Sequence, residues 1–260
     1  MPSPAIIEVR DLVARYGERT ILEGVSFSVR RGERFVIVGG SGCGKTTLLR
    51  HLIGLQRPAA GRVWIDGEDI GNADEERLRR IQRKFGVLFQ SGALFGSLTL
   101  GENVALPLEE YTRLPKELID TVVRLKLSMV RLHGFEEFRI AELSGGMKKR
   151  AGLARAMALD PGILFFDEPS AGLDPITSAE LDQLILQINR SLGTTIVVVT
   201  HELASIFTIA ERAIMLDGSA KGIIAEGDPR WLRDHSDDAR VRAFFNRQPL
   251  PAERRESRGN

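Results

Sequence analysis

The apolar positions of this chain change their spacing three times, and each change marks a different kind of element. Ile7, Val9 and Val13 alternate loosely with polar residues, and Val25, Phe27 and Val29 alternate strictly with Ser26, Ser28 and Arg30. Both stretches predict half-buried antiparallel strands. Residues 34–38 are denser in apolar side chains and stop at Gly39, which predicts a buried strand running into a glycine-rich turn. The turn leads into a helix predicted over 46–55 and closed by Pro58, and 62–65 reads as a strand ending in the Asp66-Gly67 turn. From about Leu94 to Leu143 strand signals vanish. Leu114-Pro115 opens a helical pattern in which Leu118, Val122 and Leu125 recur, so this stretch reads as an inserted helical lobe. Apolar runs at 163–166, 196–199 and 213–216 then alternate with helical patterns, which predicts a mainly parallel sheet. Residues 249–260 carry two prolines, three arginines and no apolar period, and are expected to be a disordered tail.

Composition adds limits. The chain has 260 residues, 43% apolar and 27% charged, enough to bury a core without staples. Its 36 basic and 35 acidic residues leave a net charge of +1, so no global field draws it to nucleic acid, and no nucleic-acid partner is expected. The one cysteine, Cys43, permits no intrachain disulfide, and a reducing cytoplasm is the expected compartment. The N-terminus lacks a secretory pattern, and no apolar run approaches the roughly 20 residues that span a bilayer. Any membrane role is therefore expected to be peripheral.

Candidate chemistry starts at Gly39-Gly40-Ser41-Gly42-Cys43-Gly44-Lys45-Thr46, followed by Thr47, which fits G-x-x-x-x-G-K-[ST]. Such glycines let backbone N–H groups turn inward as an anion nest, and the following helix adds the positive end of its dipole. Lys45 is expected to reach the β- and γ-phosphates of a nucleoside triphosphate, and the Thr46 hydroxyl to ligate Mg²⁺. Cys43 is expected to be a small filler, since nothing near it marks a redox sensor. The run at 163–166 ends in Asp167-Glu168, and parallel sheets bind ligands at that end of their strands. Asp167 is expected in the Mg²⁺ shell and Glu168 beside an attacking water.

Leu143-Ser144-Gly145-Gly146-Met147 makes a second phosphate-binding helix terminus, which one triphosphate does not need from one subunit. With it the sequence resembles the ATP-binding-cassette (ABC) ATPases, whose signature is L-S-G-G-Q, over nearly the whole chain. The resemblance implies an α/β P-loop nucleotide hydrolase with a mainly parallel core sheet, an antiparallel β subdomain and an inserted helical subdomain. In outline these are a single domain over 1–248, built from a core at about 1–93 and 144–227, a helical part at 94–143 and a C-terminal helical segment at 228–248. It implies ATP with Mg²⁺ as ligands, and a head-to-tail homodimer in which Ser144, Gly145 and Gly146 of one copy cap the nucleotide held by the other. Met147 departs from the commonest glutamine, which alters a side chain near the interface and leaves the capping residues intact. By the same resemblance Tyr16 stacks on adenine and Gln90 senses Mg²⁺ and the attacking water. Ser170-Ala171-Gly172-Leu173-Asp174 crosses the dimer interface, and His201 contacts the γ-phosphate. Taken alone, Tyr16 is equally an ordinary turn aromatic and His201 a structural histidine.

A finer resemblance concerns the substrate. Phe89-Gln90-Ser91-Gly92-Ala93-Leu94-Phe95, Glu102-Asn103-Val104-Ala105-Leu106-Pro107-Leu108 and Thr112-Arg113-Leu114-Pro115 are similar to segments of the ATPases of maintenance-of-lipid-asymmetry transporters. So are Met147 with Lys148-Lys149-Arg150, and Ala239-Arg240-Val241-Arg242-Ala243-Phe244. This likeness implies phospholipid transport between bacterial membranes, from the cytoplasmic face of the inner membrane. The implied partners are an integral permease, a lipid-binding protein of the mammalian-cell-entry type and a small cytoplasmic regulator. Another importer, a lipoprotein-release system or a non-transport cassette ATPase would share the catalytic residues. Long heptad arms and a duplicated cassette, which mark the DNA-maintenance and translation types, are missing from the sequence. Arg240, Arg242, Phe244 and Phe245 leave two readings open: a docking element, or an amphipathic terminal helix packed on its own domain.

Overall fold

The computed structural model describes residues 5–249, so the predicted tail falls almost wholly outside the described residues. Strands β1 (Ala5–Tyr16) and β2 (Arg19–Arg30) form an antiparallel pair with the alternating burial their sequence predicts. After β3 (Arg34–Gly39) come α1 (Lys45–Leu52), β4 (Ala60–Ile65) and the short β5 (Glu68–Asp69). Helix α1 ends earlier than its sequence pattern predicts, because Gly54 turns to φ +72° and the Leu55 and Gln56 N–H groups both close onto the Arg50 carbonyl. Helix α2 (Glu75–Gln82) leads to β6 (Phe85–Leu88), and α3 (Leu100–Tyr111), α4 (Lys116–Met129) and α5 (Gly145–Ala156) follow. Strands and helices then alternate: β7 (Ile163–Asp167), α6 (Pro175–Leu192), β8 (Thr195–Val199), α7 (Leu203–Ile209), β9 (Arg212–Asp217), β10 (Gly222–Gly227), α8 (Pro229–His235) and α9 (Ala239–Phe245).

The strands make two sheets, one ordered β2-β1-β4-β5 and antiparallel, the other ordered β10-β9-β3-β8-β7-β6. In the second sheet only the edge strand β10 runs antiparallel to its neighbour. Its central strands are continuously apolar between their ends because both faces are covered. Val36, Val38, Leu164, Phe166, Ile196 and Val198 point into the core shared with the helices. Phe35, Ile37, Ile163, Phe165, Val197 and Val199 point into the core shared with the antiparallel sheet and α1. Phe27 of β2 stacks on Phe35 of β3 at 5.4 Å between ring centroids, joining the two sheets.

Helices α3 and α4 fill the chain between β6 and α5, and α4 turns a largely different face inward from the one its sequence pattern predicts. Leu118 and Leu125 are 50% and 57% exposed, while Ile119, Val123 and Leu127 are buried. The helix carries two neighbouring apolar stripes; the second is buried against the core, and of the first only Val122 packs partly onto it. Helix α3 tolerates Pro107 inside it, and its Asn103 staples the preceding loop by donating to the Phe95 and Thr99 carbonyls and accepting from the Phe95 N–H. Of the two readings of the C-terminal segment, packing on its own domain fits the geometry. Val241 and Phe245 are buried, Phe245 lies 6.0 Å from Phe207 between ring centroids, and Arg240 pairs with Asp217 at 3.0 Å.

Candidate nucleotide site

Strands β3, β6, β7 and β8 all point the same way, so the segments that leave their C-terminal ends share one edge of the sheet. Along that edge lie the 39–47 loop, Gln90, Asp167-Glu168 and His201. The strand order puts β8 between β3 and β7, so His201 emerges between the glycine-rich loop and the acidic pair.

Two glycines of the loop are demanded by space. Gly39 has φ +147°, and a Cβ there would fall 2.3 Å from the Leu216 carbonyl oxygen and 2.7 Å from Cys43 Sγ. Gly44, at φ +105°, caps α1, and a Cβ would press on Leu22 at 2.8 Å. Cys43 is buried beneath the loop, in keeping with a filler, and burial raises its thiol while the Lys45 charge works against that. Ser41, Gly42 and Thr46 lie at the surface, and Gly40 and Gly42 have open space where a Cβ would stand. Lys45 Nζ donates to the carbonyls of Gly39 at 2.8 Å and Gly40 at 3.0 Å, so the ammonium is folded over the loop's mouth.

Asp167 is buried, and its Oδ1 has no hydrogen-bond partner. Burial, and then the charge of Glu168, raise its carboxyl above the ordinary carboxylate range; Arg50, Lys45 and Lys149 offset part of this. Glu168 adopts φ +47°, in the left-handed region that few residues with side chains enter. Its N–H donates to the Val199 carbonyl at 2.8 Å, which fixes the turn to β8, and its Oε1 lies 2.8 Å from His201 Nδ1. The strained turn therefore sends the carboxylate toward the histidine rather than along the strand axis. Gln90 is exposed just beyond β6.

Tyr16, at the end of β1, is 44% exposed, and its hydroxyl is held by α1 and the turn after it. The hydroxyl donates to Gln56 Oε1 at 3.0 Å and accepts from Arg50 at 3.3 Å. A bond with Thr47 is the main influence lowering the phenol, with burial opposing it and Arg50 and Gln56 assisting. The ring is thereby fixed beside the first turn of the phosphate-loop helix.

The second glycine pair lies on another part of the molecule. Ser144 caps α5, accepting from the Met147 N–H at 3.2 Å, and Gly145 is exposed beside it. Leu143 is buried behind them. A Cβ on Gly146 would meet Thr177 of α6 at 2.6 Å, and one on Gly145 would touch Leu173. Asp174 caps α6 by accepting from the Ile176 and Thr177 N–H groups at 3.0 Å each, which closes the 170–174 loop, whose Ser170 and Ala171 follow Glu168. The chain thus brings Leu143–Met147 against 170–177, and Helix α5 packs on α3, α4, α6 and β6. Met147 packs on the helical core rather than projecting freely.

Three residues that sequence reasoning passed over carry weight here. Arg50 and Gln56 orient Tyr16, as above. Asp182 of α6 is buried, and neither its Oδ1 nor the buried Ser205 hydroxyl of α7 makes a well-formed hydrogen bond. Burial pushes the Asp182 carboxyl up from 3.8 to about 6, Ser205 lowers it slightly and the Glu202 charge adds to the rise. The native state therefore holds this proton in a window, about pH 4 to 6, where the unfolded chain has released it. Stability contributed here falls as pH rises through that window, and the penalty is complete above it. Asp182→Asn is expected to raise the melting temperature at pH 8, by a free energy on the order of 2 kcal/mol, and to change little near pH 4. Thermal unfolding of both proteins across that range checks this; an equal effect at both ends would sink it.

Residues 22–171 match the family described as ABC transporter. The chain is 42% identical over 241 residues to the intermembrane phospholipid transport system ATP-binding protein MlaF of Escherichia coli (strain K12), covering 93% of this chain and 88% of that protein. It is 44% identical over 246 residues to the probable ribonucleotide transport ATP-binding protein mkl of Mycobacterium leprae, covering 95% of this chain and 70% of that protein. Among solved structures it resembles the dimeric, post-hydrolysis state of the ATP-binding cassette MJ0796 bound to ADP and Pi, with a TM-score of 0.78 and 32% identity, covering 85% of this chain and 98% of that one. It also resembles cbiO1 of Clostridium perfringens, part of the ABC transporter complex cbiONQ, with a TM-score of 0.81 and 26% identity, covering 92% and 95%. The chain belongs to the ABC transporter family. Within it, this protein is an ATPase of the cassette type that binds ATP. Among the described residues no helix is long and apolar enough to cross a membrane.

Proposed function

We propose that this protein is the ATP-hydrolysing subunit of a transporter that moves phospholipid between the inner and outer membranes of a bacterium. It works as a head-to-tail homodimer on the cytoplasmic face of the inner membrane and drives an integral permease. A mammalian-cell-entry-type lipid-binding protein and a small cytoplasmic regulator complete the complex. The observation that carries the lipid assignment is the 42% identity to MlaF over 241 residues, an alignment long enough to span the helical lobe as well as the catalytic loops. Residues 1–248 act as one cassette domain, with 94–143 as the part that meets the permease.

In the proposed site Gly39 to Thr47 wrap the phosphates, and Lys45 leaves the Gly39 and Gly40 carbonyls to reach them. Thr46, Asp167 and Gln90 offer a hydroxyl, a carboxylate and an amide oxygen, a hard-oxygen set that suits Mg²⁺. The buried, unpartnered Asp167 Oδ1 and its raised carboxyl support that fit, since a cation relieves both. Bound Mg²⁺ would supply charge neutralisation across the β- and γ-phosphates. Glu168 orients and polarises the attacking water, and His201 holds the Glu168 carboxylate and faces the γ-phosphate. Tyr16 stacks on adenine, its ring set by Arg50 and Gln56. Ser144, Gly145 and Gly146 of the second copy close the site, so that triphosphate favours the closed dimer and hydrolysis reopens it. Ser170, Ala171, Gly172, Leu173 and Asp174 lie along the same junction.

Purifying the protein with its membrane partners and identifying what co-purifies tests the assignment. Phospholipid held by the complex, with ATPase activity raised by the permease, is the expected result. Ribonucleotide in its place would favour the activity named for mkl, and a complex that holds neither would remove the lipid reading.

A further inference from the structure

The inner face of α5 carries Lys149, Gly152 and Arg155, three residues apart and therefore close to one stripe. All three act on the loop that holds Gln90. Lys149, only 6% exposed, donates through Nζ to the Gln90 carbonyl, and at 3.4 Å to the Glu168 carbonyl. A Cβ on Gly152 would lie 2.7 Å from Leu88 and 3.2 Å from the Gly92 oxygen, so helix and loop touch backbone to backbone. Arg155 donates to the Ala93 carbonyl at 2.8 Å and the Gly92 carbonyl at 3.0 Å. Two of the residues so held are strained. Ala93 has φ +48° and Glu168 φ +47°, conformations that persist only when their surroundings impose them.

We propose that this stripe couples the signature end of a subunit to its own catalytic edge, with Lys149 and Arg155 as positioning residues for Gln90 and Glu168. The inference rests on the dimeric ATPase reading above. Ser144 caps α5 and Lys149 lies about 7.5 Å further along it, at 1.5 Å per residue. Contact of Ser144-Gly145-Gly146 with the nucleotide on the other copy shifts α5 as a rod. The rod carries the Gln90 and Glu168 carbonyls with it, so each site responds to the occupancy of the other. A buried cation that merely satisfied stray carbonyls would hold the fold together but leave the two sites uncoupled.

Lys149→Met keeps the stem and removes the donor. The expected result is a fall in kcat of roughly tenfold or more with KM changed by less than about threefold. In a Glu168→Gln background, the same change is expected to weaken ATP-driven dimer formation on size exclusion by roughly tenfold, while a fluorescent ATP analogue still binds each subunit normally. Lys149→Arg, which keeps a donor, is expected to restore most of both. Should Lys149→Met fail to fold, Arg155→Met carries the same expectation, because it keeps an apolar stem and removes the guanidinium donors to the Ala93 and Gly92 carbonyls. Unchanged kcat, or losses in kcat, binding and nucleotide-free melting temperature that Lys149→Arg does not repair, would overturn the proposal. Wild-type protein that neither hydrolyses ATP nor dimerises with it would instead remove the reading beneath.

Discussion

Glu168→Gln is expected to lower the ATPase rate by roughly 10²–10³-fold while leaving ATP binding intact. The reason lies in how little the substitution disturbs. The side chain keeps its length and can still meet His201 Nδ1, now 2.8 Å from Oε1, and the φ +47° turn is tied down by the Glu168 N–H to the Val199 carbonyl. What disappears is the negative charge facing the place where water would attack. The phosphate contacts proposed for Lys45 and the backbone of the 39–47 loop do not involve this side chain, so binding is expected to persist. Closed dimers are expected to accumulate with ATP and be visible by size exclusion with light scattering, since the triphosphate bridge forms but is not removed. Steady-state phosphate release at the wild-type rate would rule Glu168 out as the residue that activates water.

Mixing a Lys45→Ala subunit with a Ser144→Arg subunit is expected to restore activity that neither has alone. The two residues sit on different elements of one chain: Lys45 opens α1 beside β3, while Ser144 caps α5 against the 170–177 segment. Ser144 and Gly145 are exposed and present backbone donors to whatever docks there. In a head-to-tail pair, a mixed dimer holds one site with both defects and one with neither. Half of randomly paired dimers are mixed and each keeps one site, so roughly a quarter of wild-type activity is expected if sites act independently. If they act together, recovery is expected in ATP-driven dimer formation instead. Mixing that restores neither would mean that Ser144 does not act across the interface.

Much of this site was legible in the chain, and the readable parts share a cause. Gly39 and Gly44 are required by local backbone geometry, and the apolar run before Asp167 is required by burial on both faces of one strand. Such constraints act over a few residues and leave a linear trace. The α4 face was misjudged because two apolar stripes were present and periodicity ranks neither; α3 and α5 chose between them. The burial of Lys149 and of Asp182 left no trace for a related reason. A charged residue in a helix is ordinarily solvated, and only the approach of the Gln90 loop, or of α7, turns each into a buried group with consequences.

The sequence by itself therefore determined the phosphate loop, the acidic pair, the signature and the parallel sheet beneath them, because each is written in neighbouring residues. Only the tertiary structure decided that His201 would lean on Glu168, that Tyr16 would be oriented by Arg50 and Gln56, and that α5 would grip the Gln90 loop. Those contacts join segments tens of residues apart, and their existence depends on how sheets and helices pack, which no local pattern encodes.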